Sequence, residues 1–247
     1  MNIWFVILLF FIYSFIGWLL EVIGKIIEKH RFINRGFLLG PICPIYGYGS
    51  LLLIFLLSRY KNDIFLLFIM AIIICSILEY FTSYFMEKIF HTRWWDYSYS
   101  RFNINGRICA DTMIPFGIMG TLVVKFLNPF LLTVLDKIPL NIVMIISIVL
   151  FGIYVIDNII SFNVILKIKN TITNLEKDAT EEITKKVKAM LTNSFMYRRL
   201  FNAFPKLISH KDYLLQVKAR MEEDLKIINN NIKKMGRLEN VKGKKQK

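Results

Sequence analysis

The sequence predicts an all-α fold: a polytopic membrane helical bundle followed by a cytoplasmic helical tail. Three observations carry this reading. The 247 residues are 55% hydrophobic with a mean hydropathy of +0.48, whereas soluble domains hold about 45–50% apolar residues. Residues 1–20 and 36–58 contain no Asp, Glu, Lys or Arg, and about 20 such residues suffice to cross a bilayer. The net charge of +14 is also unevenly placed. Residues 1–166 hold 12 basic and 9 acidic side chains, and residues 167–247 hold 20 and 9. A basic segment beside a membrane is drawn to anionic lipid headgroups at about 1 kcal/mol per nearby Lys or Arg. The charge therefore points to membrane lipids as a partner and away from nucleic acid.

The first apolar stretch, about 3–23, has no basic residue ahead of it and no small-residue cleavage site before Glu21 and Lys25, so it reads as a retained anchor and not as a signal peptide. Further spans are expected at about 38–57, 64–86, 108–127 and 140–165, separated by Asn62-Asp63, by the 87–107 loop, and by Asn128-Pro129 with Pro139. The second span is interrupted by Gly40, Pro41, Pro44, Gly47 and Gly49, which break a regular helix. It therefore either crosses the membrane or re-enters on the same side.

Cytoplasmic loops keep the excess of Lys and Arg. The 24–37 loop carries Lys25, Lys29, Arg31 and Arg35, and the 87–107 loop carries Lys88, Arg93, Arg101 and Arg107. The 58–63 turn has only Arg59 and Lys61, and the 128–139 turn only Lys137. The expected orientation in the cell (cytoplasmic) membrane places the N-terminus outside and the tail inside. A re-entrant second segment would instead put both termini in the cytoplasm.

The domains expected are 1–166, transmembrane, and 167–247, a basic helical or coiled-coil tail. In the tail, Ile168, Ile172, Leu175, Ala179, Ile183, Val187 and Met190 recur at helical spacing. Leu214, Met221, Leu225, Ile228, Ile232 and Met235 keep nearly to heptads. Between them Phe195, Tyr197, Leu200, Phe201 and Phe204 mix with Arg198 and Arg199, a composition suited to the headgroup layer.

Carboxylates inside a span cost about 2.5–3.5 kcal/mol at its centre, so each needs a reason. Glu21, Glu79, Asp111 and Asp157 come from four different spans and approach from one side. The fifth span contributes the Gly/Pro-rich entry, a form of backbone that membranes tolerate only when buried in protein or lining a wet cavity. Together they point to a polar, cytoplasm-facing pocket. Structural readings stand beside the functional one. Glu21 with Lys25, and Asp111 with Arg107, are each four residues apart and so spaced for local helical ion pairs. Glu79 and Asp157 have no basic neighbour within a turn and require a tertiary partner or a proton.

The 87–107 loop joins His91, Arg93, Trp94, Trp95, Asp96, Tyr97 and Tyr99. Trp and Tyr at a membrane surface serve as interfacial anchors. Asp96 among them is expected to pair with Arg93 or Arg107. A single His with scattered carboxylates is a poor metal signature, and no cofactor is expected. Cys43, Cys75 and Cys109 lack CxxC spacing and read as small apolar residues. The sequence contains no GxxxxGK[ST] phosphate loop and no HExxH or GxSxG motif, so this chain carries no ATP hydrolysis of the P-loop type, and any energy source is an ion gradient or another polypeptide.

The segments GFLLGPICPIYGYG (36–49), LEYFTSYFMEKIFHTRWWDYS (78–98) and FNINGRIC (102–109), with the opening FIYSFIGWLLE (11–21), together resemble a bacterial membrane family named putative ABC-transporter permease type IV, also called CmpB-like. The resemblance covers roughly residues 10–125. Its matching positions include Glu21, Gly40, Pro41, Pro44, Gly47, Glu79, Glu87, His91, Trp95, Asp96, Gly106 and Arg107. It implies the permease subunit of an importer or exporter driven by a separate ATP-binding subunit, and with only five spans a homo-oligomer.

The expected pocket comprises Glu21, Arg35, Glu79, Asp96, Arg107, Pro41 and Pro44, with His91, Trp95, Asp111 and Asp157 as secondary candidates. Two other functions fit the same residues. One is a membrane-embedded enzyme acting on a lipid or interfacial substrate, with Glu79 or Asp96 as acid or base. The other is a non-catalytic scaffold or sensor that works through its tail.

Overall fold

The computed structural model describes residues 2–30, 32–34, 36–90, 93–177 and 199. Among these the regular elements are helices. They are α1 (Ile3–Lys29), α2 (Pro44–Leu57), α3 (Ile64–Phe90), α4 (Ala110–Leu122), a π-helical turn (Val123–Leu127), α5 (Asn128–Leu135) and α6 (Leu140–Lys177), with a short 3₁₀ turn after α2. Among the described residues four helical stretches are long and apolar enough to cross a membrane: Ile3–Glu28, Ile64–Ile89, Ala110–Leu135 and Leu140–Lys167.

The second expected span is the exception. Its helix starts only at Pro44, because Pro41 and Pro44 supply no backbone N–H and Pro44 suits the first turn of a new helix. At about 1.5 Å per residue, the 14 residues of α2 reach only about 21 Å of a hydrocarbon core about 30 Å thick. An irregular segment, 36–43, supplies the rest.

Close helix contacts give the order of crossings. The Cys43 N–H donates to the Ser14 carbonyl at 2.9 Å, halfway along α1. Tyr46 packs on Gly17, while Gly47 packs on Ser14 and Phe10, so α2 runs antiparallel to α1. A Cβ at Gly17 or Gly47 would collide with these neighbours; the two glycines let the backbones meet, as small residues do between membrane helices. Further along, α3 returns past α2, with Gly49 against Leu78 and Leu53, Leu57, Leu67 and Ala71 forming one apolar cluster. Then α4 runs back along α3, with Gly117 on Phe68 and Ile72 and Gly120 on Ala71.

Helix α6 lies parallel to α1. Ser147 Oγ donates to the Trp4 carbonyl at 3.1 Å, and Tyr154 meets the rings of Phe10 and Phe11. The start of α1 and the turns before α3 and α6 thus lie at one end of the bundle. The end of α1, the 93–109 loop and the far part of α6 lie at the other.

Asn128-Pro129, expected in a loop, lies inside a helix. The missing N–H of Pro129 is absorbed by the preceding π turn, where the Asn128 N–H reaches the Val123 carbonyl; such local adjustment is how membrane helices accommodate proline. Asn128 itself is buried and accepts the Tyr13 hydroxyl at 3.2 Å. The chain turns instead at 136–139. The tail begins as a direct continuation of α6 to Lys177. Apart from Arg199, the tail patterns beyond that point lie outside the described residues.

Candidate functional site

The irregular segment 36–43 has peptide groups that no helix satisfies, and lipid cannot satisfy them either. Charged side chains distant in sequence do so. Asp157, buried on α6, accepts the Leu39 N–H and the Gly40 N–H, each at 2.8 Å, and the Ser161 hydroxyl at 3.0 Å. Arg199, also buried, donates to the Gly36 carbonyl at 2.5 Å and to the Leu38 carbonyl. Burial pushes the Arg199 guanidinium below its ordinary range, and the Asp157 charge opposes that shift. Asn34 closes the entry, accepting from Trp18 Nε1 at 2.8 Å and from the Gly36 N–H at 3.2 Å.

Beside this segment two carboxylates meet two phenols. The Tyr46 hydroxyl donates to Glu21 Oε1 at 2.7 Å, and the Tyr97 hydroxyl donates to Glu79 Oε1 at 3.3 Å. Glu21 and Glu79 lie within electrostatic range of each other and of both tyrosines. Glu79 is only 6% exposed, and its Oε2 is buried without a hydrogen-bond partner. Burial and the Glu79 charge push the Tyr97 phenol up, which keeps it a donor. Cys43, Cys75 and Cys109 each lie within electrostatic range of one member of this cluster.

Along α3, Ser76, Glu79, Ser83 and Glu87 recur at spacings of three and four and so share one face. The 93–109 loop folds onto this stripe. Arg107 pairs with Glu87 at 2.8 Å and donates to Ser83 at 3.2 Å, with its guanidinium 5.6 Å and 5.4 Å from the Tyr80 and Tyr84 ring centroids. Arg93 pairs with Glu87 at 3.1 Å and with Asp96 at 3.6 Å. Trp95 Nε1 donates to the Arg107 carbonyl at 3.1 Å. Gly106, at φ +67°, makes the tight return that lets the Tyr97 N–H reach its carbonyl at 2.7 Å. A Cβ there would meet Ser98, Asp96 and Arg93.

The sequence-predicted residues separate accordingly. Glu21 and Glu79 come together. Asp96, Trp95 and Arg107 form the neighbouring loop network, in which Asp96 pairs with Arg93, one of its two expected partners. Pro44 opens α2, Pro41 is exposed, and Asp111 is exposed in the first turn of α4. Arg35 and His91 lie outside the described residues. Lys25 turns to Glu28, and Arg107 turns to Glu87, a partner on another helix that spacing along the chain does not show. Asp157 takes two backbone amides as its tertiary partners. Sequence reasoning missed Tyr46, Tyr97, Glu87 and Arg199. For Glu87 the polar stripe on α3 was a readable signal, and for the other three there was none.

Against known families, residues 8–162 match the model of the family described as "Putative ABC-transporter type IV". No curated protein and no solved structure matches the chain.

Proposed function

Because the chain belongs to the family described as "Putative ABC-transporter type IV", a transporter-related, multi-pass membrane family, we propose that it is the membrane permease subunit of a transporter. Its substrate pocket is lined by Glu21 and Glu79 with Tyr46 and Tyr97, flanked by Arg107, Asp96, the irregular 36–43 segment with Pro41, and Pro44 at the start of α2. The pocket opens toward the cytoplasm and takes a polar or cationic group. The basic-loop count supports this orientation, since the 24–37 and 87–107 loops carry 8 of the 12 Lys and Arg of residues 1–166.

The observation that carries the reading is Glu79, a buried carboxylate within a span with one oxygen unpartnered. Groups of that kind are costly at membrane depth and mark substrate or ion pathways. Energy comes from a separate ATP-binding subunit, since this sequence has no phosphate loop.

The test is affinity purification of the tagged protein from its native membrane after mild cross-linking, with mass spectrometry of the co-purified chains. The permease reading expects reproducible recovery of an ATP-binding subunit whose ATP hydrolysis changes when Glu79 becomes Gln. Intact protein that carries no ATP-binding chain overturns it.

A further inference from the structure

The turn between α3 and α4 presents apolar side chains at its tip. Tyr99 and Phe102 are each 85% exposed and Ile104 is 52% exposed, and Arg101 among them is exposed as well. Phe102 has φ +52°, a backbone state that bulky side chains seldom adopt, and here it turns the ring outward. Asn103 locks the tip. Its Nδ2 donates to the Ser98 and Ser100 carbonyls at 3.4 and 2.8 Å, and its Oδ1 accepts the Gly106 N–H at 2.9 Å. The turn therefore satisfies much of its own backbone, as irregular chain near acyl groups must.

This turn folds back along the bundle and does not project away from it. Asn105 Nδ2 donates to the Tyr80 hydroxyl at 2.9 Å, and Tyr80 stands nine residues before Ile89, where the apolar stretch of α3 ends. At about 1.5 Å per residue that contact is about 14 Å inside the end of the stretch. The next apolar stretch starts at Ala110, directly after the turn. The tip thus stands where headgroups give way to acyl chains, the layer that aromatic and basic side chains occupy together. Among the described residues Arg101 has no ion pair, and a guanidinium matches a phosphate well. A protein partner fits less well, since a stable interface takes about 20–30 residues a side and the tip offers only a few.

We propose that the 98–105 turn docks on the membrane itself, with Phe102 and Ile104 in the acyl boundary of the leaflet at this end and Arg101 on the phosphate of an anionic headgroup. The same loop carries Tyr97 to Glu79, so anionic lipid steadies the phenol at the pocket. The docking does not depend on the permease reading, and co-purification of an ATP-binding subunit tests that reading separately.

The test places the full-length protein in nanodiscs of phosphatidylcholine, with and without phosphatidylglycerol. Phe102→Trp adds one indole at the tip, read as the emission difference from the unsubstituted protein. Lipid brominated along its acyl chains should quench most of the added emission, and acrylamide in the water should quench little of it. If Phe102→Trp does not elute as a single species, Ile104→Trp replaces it with the same expectation. Hydrogen exchange across 97–106 should slow when phosphatidylglycerol is present. Arg101→Gln should lose that slowing and leave the brominated-lipid quenching in place.

Three results overturn the proposal. Quenching by acrylamide and not by brominated lipid puts the tip in water. Shielding from both quenchers puts it against protein, a second copy or another chain. Exchange indifferent to phosphatidylglycerol takes the anionic headgroup away from Arg101.

Discussion

The carboxylate of Asp157 accepts the Gly40 N–H at 2.8 Å across 117 residues of sequence. With the Leu39 N–H on its other oxygen, it holds open-chain backbone in place at a depth where lipid offers no hydrogen bonds. Asp157→Asn replaces an acceptor with a donor facing two amides, and a buried donor left unpaired costs about 1–3 kcal/mol. The expected outcome is a lower unfolding temperature in detergent. Cys43, buried at the start of α2, should also react faster with a thiol reagent. Unchanged Cys43 reactivity would count against the clamp.

Arg199 acts on the other half of the same peptide groups. Its Nη2 alone reaches both carbonyls, from the end of a planar guanidinium whose reach and geometry a lysine ammonium does not reproduce. Arg199→Ala should expose Cys43 to the reagent, and Arg199→Lys should restore only part of the protection. Equal labelling of all three proteins would detach the tail from the broken segment.

The α1 and α2 backbones approach through Gly17 and Gly47. Gly47→Val forces a side chain into Ser14 and Phe10, and overpacking of this kind costs about 1–3 kcal/mol. Gly152 has open space where its Cβ would stand. Thermal stability should therefore fall in Gly47→Val and hold in Gly152→Val.

Gly106→Ala combines a left-handed backbone, about 1–2 kcal/mol for a residue with a Cβ, with contacts to Ser98, Asp96 and Arg93. Hydrogen exchange should quicken at the Tyr97 amide and across 93–109, while the membrane helices exchange as before. Uniform acceleration throughout would show a global loss and not a local one.

Orientation follows from the two ends of the bundle. Single cysteines replacing Lys61 or Lys137 should react with an impermeant maleimide in intact cells, and one replacing Arg101 only after permeabilisation. The opposite pattern would turn the protein over and direct the pocket outward.

The apolar lengths of α1, α3 and α6 were legible because hydropathy reports solvent preference residue by residue. The break before α2 was legible because Gly40, Pro41 and Pro44 act locally. Pro129 was misread, since proline ends helices in water but a π turn and the Tyr13 to Asn128 bond accommodate it here. Within the site, Glu21 and Glu79 stood out as charges in apolar runs. Tyr46 and Tyr97 did not, because tyrosine is equally at home as a membrane anchor. Arg199 sat in a pattern of aromatic and basic residues that resembles a headgroup anchor, and only the folded chain brings it to Gly36 and Leu38.

The long sequence gap between Asp157 and its amides also governs biogenesis. When segment 36–43 leaves the ribosome, the carboxylate that will receive its N–H groups has not been synthesised. At about 5–20 residues per second, the wait for 117 further residues is about 6–23 s. During that interval the segment needs shelter in the insertion machinery or in water at the interface. The second crossing is thus begun early and completed last, after the final helix has entered the membrane.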